Sequence, residues 1–208
     1  MKTLTKYLNE KLIIFPSQVD EKLVINKDYK DAYTCAPASW EELRKIIEDR
    51  YDKFGPGTKQ KPIDFNDVDV SNIDSFYDDN NYVGVFRKTK FKYIDISYWD
   101  VSNVNCMIGM FSECEQLKSV GNLSNWDVSS VKNMLAMFAD CINLKSVGDL
   151  SNWDVSKVKY MDNMFINCHN LKSVGDLSNW DVSKVKNKDM DNMFYRSGIT
   201  NIPDWYRR

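Results

Sequence analysis

Asn-Trp-Asp-Val-Ser occurs at 125–129, 152–156 and 179–183, and a variant, Tyr-Trp-Asp-Val-Ser, at 98–102. The tryptophans of these copies, Trp99, Trp126, Trp153 and Trp180, recur every 27 residues. A Met-Phe pair follows each one, at Met110-Phe111, Met137-Phe138, Met164-Phe165 and Met193-Phe194. Leu-Lys-Ser-Val-Gly closes the first three units, at 117–121, 144–148 and 171–175. A unit this short cannot bury an apolar face alone, so neighbouring units must stack and share a core. The ends of the array are irregular. Met190 lies ten residues after Trp180, whereas Met161 lies eight after Trp153, so the last unit carries a two-residue insertion. At the front, 69–73 followed by Val85-Phe86 reads as a degenerate first unit.

Inside a unit, Val158, Met161, Met164 and Phe165 fall at i, i+3, i+6 and i+7, which predicts a helix of about ten residues. Ser156 is its expected N-cap. Leu171, Val174 and Leu177, set around a Gly-Asp pair, predict a short strand and a bend. Trp99, Trp126, Trp153, Trp180 and Trp205 are expected to stack along the core edge. Asn125, Asn152 and Asn179 are expected to turn inward, because buried polar groups need partners. Cys114, Cys141 and Cys168 share one repeat position and read as a column of buried thiols. Residues in a line do not converge on the tetrahedral point that zinc requires.

The consensus Leu-Ser-Asn-Trp-Asp-Val-Ser-x-Val-x-x-Met-x-x-Met-Phe-x-x-Cys-x-x-Leu-x-x-Val resembles the BspA-like leucine-rich repeats, in particular the variant of mycoplasma surface lipoproteins. The resemblance covers roughly residues 91–205. It implies an α/β fold: a short right-handed leucine-rich-repeat-type solenoid, with a helix and a short strand per 27-residue unit, used for protein binding. A small α+β cap would precede it. More loosely, the repeats and Ile-Thr-Asn-Ile-Pro-Asp-Trp at 199–205 are similar to repeat proteins of crAss-like phages of gut Bacteroidales.

Residues 1–60 are not repetitive and read as an N-terminal capping region, with the repeat array over 61–208. Leu4, Tyr7, Leu8 and Leu12 predict an amphipathic helix, with a capsid-targeting role for Met1–Leu12 as a second reading. Lys22 to Ile25 predicts a strand. A helix is predicted from Pro37 to about Tyr51, opened by a Ser39/Glu42 capping box. Gly55-Pro56-Gly57-Thr58 breaks the chain before the array.

The net charge of −2 gives no electrostatic reason to expect nucleic acid as a partner. The run Leu12-Ile13-Ile14-Phe15 is too short for a membrane span or a signal-peptide core. The expected location is the host-cell cytoplasm or a virion, with no membrane partner. Five cysteines, an odd count, suggest reduced thiols rather than a disulfide framework.

The single histidine, His169, sits where the neighbouring units hold Glu115 and Ile142, so the repeat does not require imidazole. Asp67, Asp69 and Asp74 read as turn and cap residues. No phosphate loop, nucleophile elbow or Cys-x-x-Cys pair occurs. The expectation is therefore no enzyme, no cofactor and no metal. The candidate partner-binding residues are Lys118, Lys145 and Lys172 at one repeat position, with Asn122, Asp149 and Asp176 four residues on. Lysines there also suppress edge aggregation. The expected function is a non-catalytic, phage-encoded protein-interaction module that binds a host or virion protein. The alternative is a structural virion component or packaged cargo acting by self-association. Oligomeric state is left open.

Overall fold

A computed structural model of the chain describes residues 35–206. The expected amphipathic and targeting segment at Met1–Leu12 and the strand at Lys22–Ile25 lie outside the described residues.

Helix α1 (Trp40–Phe54) begins as its sequence predicts. Ser39 is extended, and its Oγ accepts the Glu42 N–H. Glu42 in turn accepts the Ala38 N–H at 2.8 Å. Glu41 and Glu42 place negative charge at the positive end of the helix dipole. Gly55, at φ +72°, stops the helix and returns its N–H to the Tyr51 carbonyl. The face bearing Leu43 and Ile47 is fully buried and joins the same apolar cluster as the repeat units.

The α/β leucine-rich-repeat-type solenoid expected from the sequence is not what the described residues form. They contain one α-helix, α1, and two two-stranded sheets of two-residue strands, and most of the remaining backbone is turn or irregular. Strand β1 (Ile63–Asp64) pairs in parallel with β4 (Ile94–Asp95). Strand β2 (Tyr77–Asp78) pairs antiparallel with β3 (Val83–Gly84), forming a hairpin within the degenerate first unit.

Hydrogen bonding explains why no helix forms in the repeat units. Met134, Ala136, Phe138 and Asp140 donate their N–H groups to the carbonyls of Tyr160, Asp162, Met164 and Ile166, one unit further along the chain. The residues between them close short turns, as Met137 does to Met134 and Ala139 to Ala136. Ala136 and Asp140 therefore take φ of +55° and +62°, and Asn163 and Asn167 take +57° and +58°. Left-handed residues at these positions are incompatible with a right-handed helix. The i, i+3 spacing of Val158, Met161 and Met164 reflects consecutive turns with inward apolar corners. Ser156 is not an N-cap, since no helix starts after it; its N–H donates to Asp154 Oδ1 in a turn.

The two-residue insertion stays outside this bonding pattern. Met161, Asn163, Phe165 and Asn167 donate to Asp189, Asp191, Met193 and Tyr195, in the same alternation but two residues further on. The extra residues fall where a 3-10 helix, Asn187–Met190, leads into the last unit.

The shared core is built from columns of identical residues. Phe86, Phe111, Phe138, Phe165 and Phe194 stack with ring centroids 5.2–5.9 Å apart. Trp126, Trp153, Trp180 and Trp205 stack at 6.4 Å. Trp99 leaves this column and lies against Phe76 and Phe86 instead. Each indole N–H, including that of Trp99, donates to a carbonyl of the preceding unit: Phe65, Ile96, Leu123, Leu150 and Leu177. Cys114, Cys141 and Cys168 are fully buried, and their thiols donate to the Phe86, Phe111 and Phe138 carbonyls at 2.9–3.1 Å. Asn125, Asn152 and Asn179 do not turn inward as expected; all three are exposed. The indoles bond from unit to unit instead.

Candidate interaction surface

Outside the core, the same register lines up polar side chains in rows. Lys145 and Lys172 are exposed and Lys118 is half-buried, its ammonium 5.9 Å from the Tyr93 ring centre. The Lys145 N–H donates to the Lys118 carbonyl, which holds the two side chains on adjacent units. Lys172 Nζ donates to the His169 carbonyl at 3.2 Å. Among the described residues the ion pairs lie toward the N-terminal end, at Arg44–Glu48, Arg50–Asp67, Arg87–Glu113 and Lys88–Glu113. Among the described residues the lysine row therefore forms no ion pair.

Asn122, Asp149 and Asp176 are exposed as well, but they serve the backbone. Each Oδ1 accepts an N–H two residues on, from Ser124, Ser151 and Ser178, at 3.0–3.1 Å. These are Asx turns. The Ser151 N–H holds the Asp149 carboxyl below its usual range, and the Ser178 hydroxyl and N–H do the same for Asp176. Asn122 and Asp149 also rest against the glycine of the next unit. A Cβ on Gly148 would fall 2.1 Å from Asn122 Oδ1, and one on Gly175 would fall 1.9 Å from Asp149 Oδ1. The six expected binding residues thus divide into a lysine row, with Lys145 exposed, Lys118 over Tyr93 and Lys172 on the His169 carbonyl, and an Asx row that holds turns.

A second lysine row, Lys132, Lys159 and Lys186, is exposed on the Trp-Asp-Val-Ser side of the units. The backbone bond from Lys159 N–H to the Lys132 carbonyl keeps it in register. Its signal, Val-Lys at 131–132, 158–159 and 185–186, is plain in the repeat, but the sequence reading did not use it. Beside it, Asp127, Asp154 and Asp181 accept the N–H groups of Ser129, Ser156 and Ser183 at 3.0 Å. The serine hydroxyls and N–H groups hold Asp154 and Asp181 low.

The thiol column lies in the apolar core. Burial pushes the Cys168 thiol up to about 12 and raises Cys141 too, whereas Cys114, equally buried, is lowered by hydrogen bonds with Cys141 and Thr89. A thiol held protonated in an apolar interior is a poor nucleophile. His169 is exposed. A cleft of about 900 Å³ lies beside α1, between Ile46, Arg50, Lys53 and Phe54 on the helix and Pro56, Ile63 and Asp64 on the loop. Arg50 closes one wall by binding Asp67 and the Asp64 carbonyl.

These features define a repeat protein whose identical columns make its core and whose exposed rows repeat at the same interval. The chain belongs to the family described as "Mycoplasma protein of unknown function, DUF285", which it matches over residues 80–205. The mycoplasma-type repeat family inferred from the consensus is therefore its family. No curated protein and no solved structure matches the chain.

Proposed function

We propose that the chain is a non-catalytic protein-interaction module whose exposed repeat rows engage a protein partner. The observation that carries this reading is the lysine row: Lys145 and Lys172 stand exposed at equivalent positions of adjacent units, with no ion-pair partner among the described residues. Rows held at a fixed interval by backbone bonds lose little entropy on meeting an extended surface. The narrower proposal is a phage-encoded protein whose partner is a host or virion protein, in the host cytoplasm or in the particle. It rests on the resemblance to crAss-like phage repeat proteins and goes beyond the mycoplasma-type family.

The test is capture of partners from host lysate by the chain and by a Lys145→Glu/Lys172→Glu variant. A partner bound stoichiometrically by the parent and lost by the variant, with an unchanged melting temperature, is the expected result. Exposed substitutions of this kind shift stability by no more than about 0.5 kcal/mol. Retention of the partner by the variant would overturn the assignment to this row. Recovery of only the chain itself or of virion proteins would favour a structural role through self-association. Asp149 is left intact, because it holds a turn.

A further inference from the structure

The two ends of the array differ in their hydrogen bonding. At the start, Arg44 Nη1 of α1 donates to the carbonyls of Val85 and Arg87, at 2.8 and 3.3 Å. The Phe86 and Lys88 N–H groups, each one residue on, bond forward to Met110 and Ser112. The guanidinium thus takes the place of the backbone donors that an earlier unit would supply. The other end has no counterpart. Asn163, Phe165 and Asn167 donate to Asp191, Met193 and Tyr195, but the corresponding N–H groups of the last unit, at Asn192, Phe194 and Arg196, have no partner among the described residues. Asn192 and Arg196 are exposed, and Tyr195 between them is 51% exposed.

We propose that this edge docks a segment of a separate polypeptide that presents backbone carbonyls on alternate residues. The inference rests on the protein-interaction reading and names a part of the surface responsible for it. The edge only donates. The Asp191, Met193 and Tyr195 carbonyls already accept from the unit before, and those of Asn192 and Phe194 close turns to Tyr195 and Ser197. The array ends of a second copy do not match it, since one edge has the same donors and Arg44 holds the Val85 and Arg87 carbonyls at the other. A single anion meets only one donor well, because the three lie on alternate residues. That alternation is the one the chain uses between its own units, and adding a strand-like segment to an open edge is an established mode of peptide recognition.

The test follows amide exchange by NMR in the full chain with a peptide copying Tyr160–Leu171. In the fold, the Asp162, Met164 and Ile166 carbonyls of that segment already accept from a neighbouring unit. The same residues in reversed order serve as control. At a peptide concentration ten times its Kd, exchange at Asn192, Phe194 and Arg196 should slow about tenfold. Protection confined to the lysine rows would overturn this inference and leave the broader reading standing. No binding anywhere would also overturn it, while the lysine variants decide the broader reading separately. A second arm uses chain ligated at Cys168, with an ester replacing the amide of Phe194. That N–H has no partner among the described residues, whereas the Met193 carbonyl of the same linkage accepts from Phe165 and weakens as an ester, so the melting temperature should fall slightly while the peptide binds about fivefold more weakly. Unchanged affinity would sink the proposal.

Discussion

Gly148→Ala probes the contact on which the spacing of units depends. Gly148 has φ of +91°, and an added Cβ would lie 2.1 Å from Asn122 Oδ1 and 3.1 Å from the Leu123 nitrogen. Two costs separate cleanly. The first is backbone strain: a left-handed alanine costs about 1–2 kcal/mol, offset in part by about 0.4–1 kcal/mol because alanine also restricts the unfolded chain. Gly109 isolates that cost. Its φ is +55°, and a Cβ there meets only the Ser112 Cβ at 3.5 Å, an ordinary contact. The next unit already carries Ala136 at the equivalent position with the same φ. Gly109→Ala is therefore expected to cost about 1 kcal/mol.

The second cost is the displacement of Asn122, whose Oδ1 accepts both the N–H and the hydroxyl of Ser124. Overpacking of this kind adds about 1–3 kcal/mol. The expected total for Gly148→Ala is about 2–4 kcal/mol. Urea unfolding followed by tryptophan fluorescence measures it. The double variant Asn122→Ala/Gly148→Ala removes the clash and should show a favourable coupling of about 1 kcal/mol or more. The reasoning fails if Gly148→Ala is no worse than Gly109→Ala, or if the double variant is simply additive.

Other outcomes follow from the same geometry. Phe138→Ala interrupts the phenylalanine column and should cost about 3–5 kcal/mol in the same unfolding experiment; a loss under 1 kcal/mol would mean the column does not act as core. Arg44→Ala strips the two capped carbonyls and should cost about 2 kcal/mol, checked by thermal melts against Glu48→Ala, which removes only the exposed ion pair of Arg44. At pH 8, iodoacetamide should modify the partly exposed Cys35 first, and Cys141 and Cys168 only once the protein unfolds, as read by peptide mass spectrometry. Asp149, Asp154, Asp176 and Asp181 are held low in the fold, so they add stability above the unfolded carboxylate pKa near 3.9, lost as pH falls through their folded values. Melting temperature should fall steeply below about pH 4, and replacing the four by asparagine should flatten that limb.

The register of the units, the stacked columns and even the site of the insertion could be read from the repeat itself. Identical residues at equal spacing must meet identical neighbours, so Phe138 finds Phe111 and Phe165, and Trp153 finds Trp126 and Trp180. Local structure was less legible. The spacing of Val158, Met161 and Met164 fits a helix and a series of turns alike, and only the destination of the Asn163 and Asn167 N–H groups separates them. Asn163 and Asn167 were themselves a signal, since asparagine tolerates the left-handed region. The Asx row looked like a free surface because an aspartate that holds a turn and one that meets a partner share the same pattern. The Arg44 cap could not be found from the repeat, since Arg44 lies outside it and reaches 41 residues along the chain.

The forward bonds from one unit to the next also bear on how the chain reaches this structure. Bringing each unit onto its predecessor closes a loop of nearly constant length, whatever the number of units already in place. The entropy of loop closure grows only with the logarithm of loop length, so every addition faces about the same barrier. Folding can then start at any adjacent pair and spread outward, and contact order stays low as the chain lengthens. A descendant that gains a whole unit would gain surface without a slower search, whereas an extra residue among the alternating donors would misalign every bond beyond it. The 3-10 turn ahead of the last unit absorbs its two extra residues before that alternation begins.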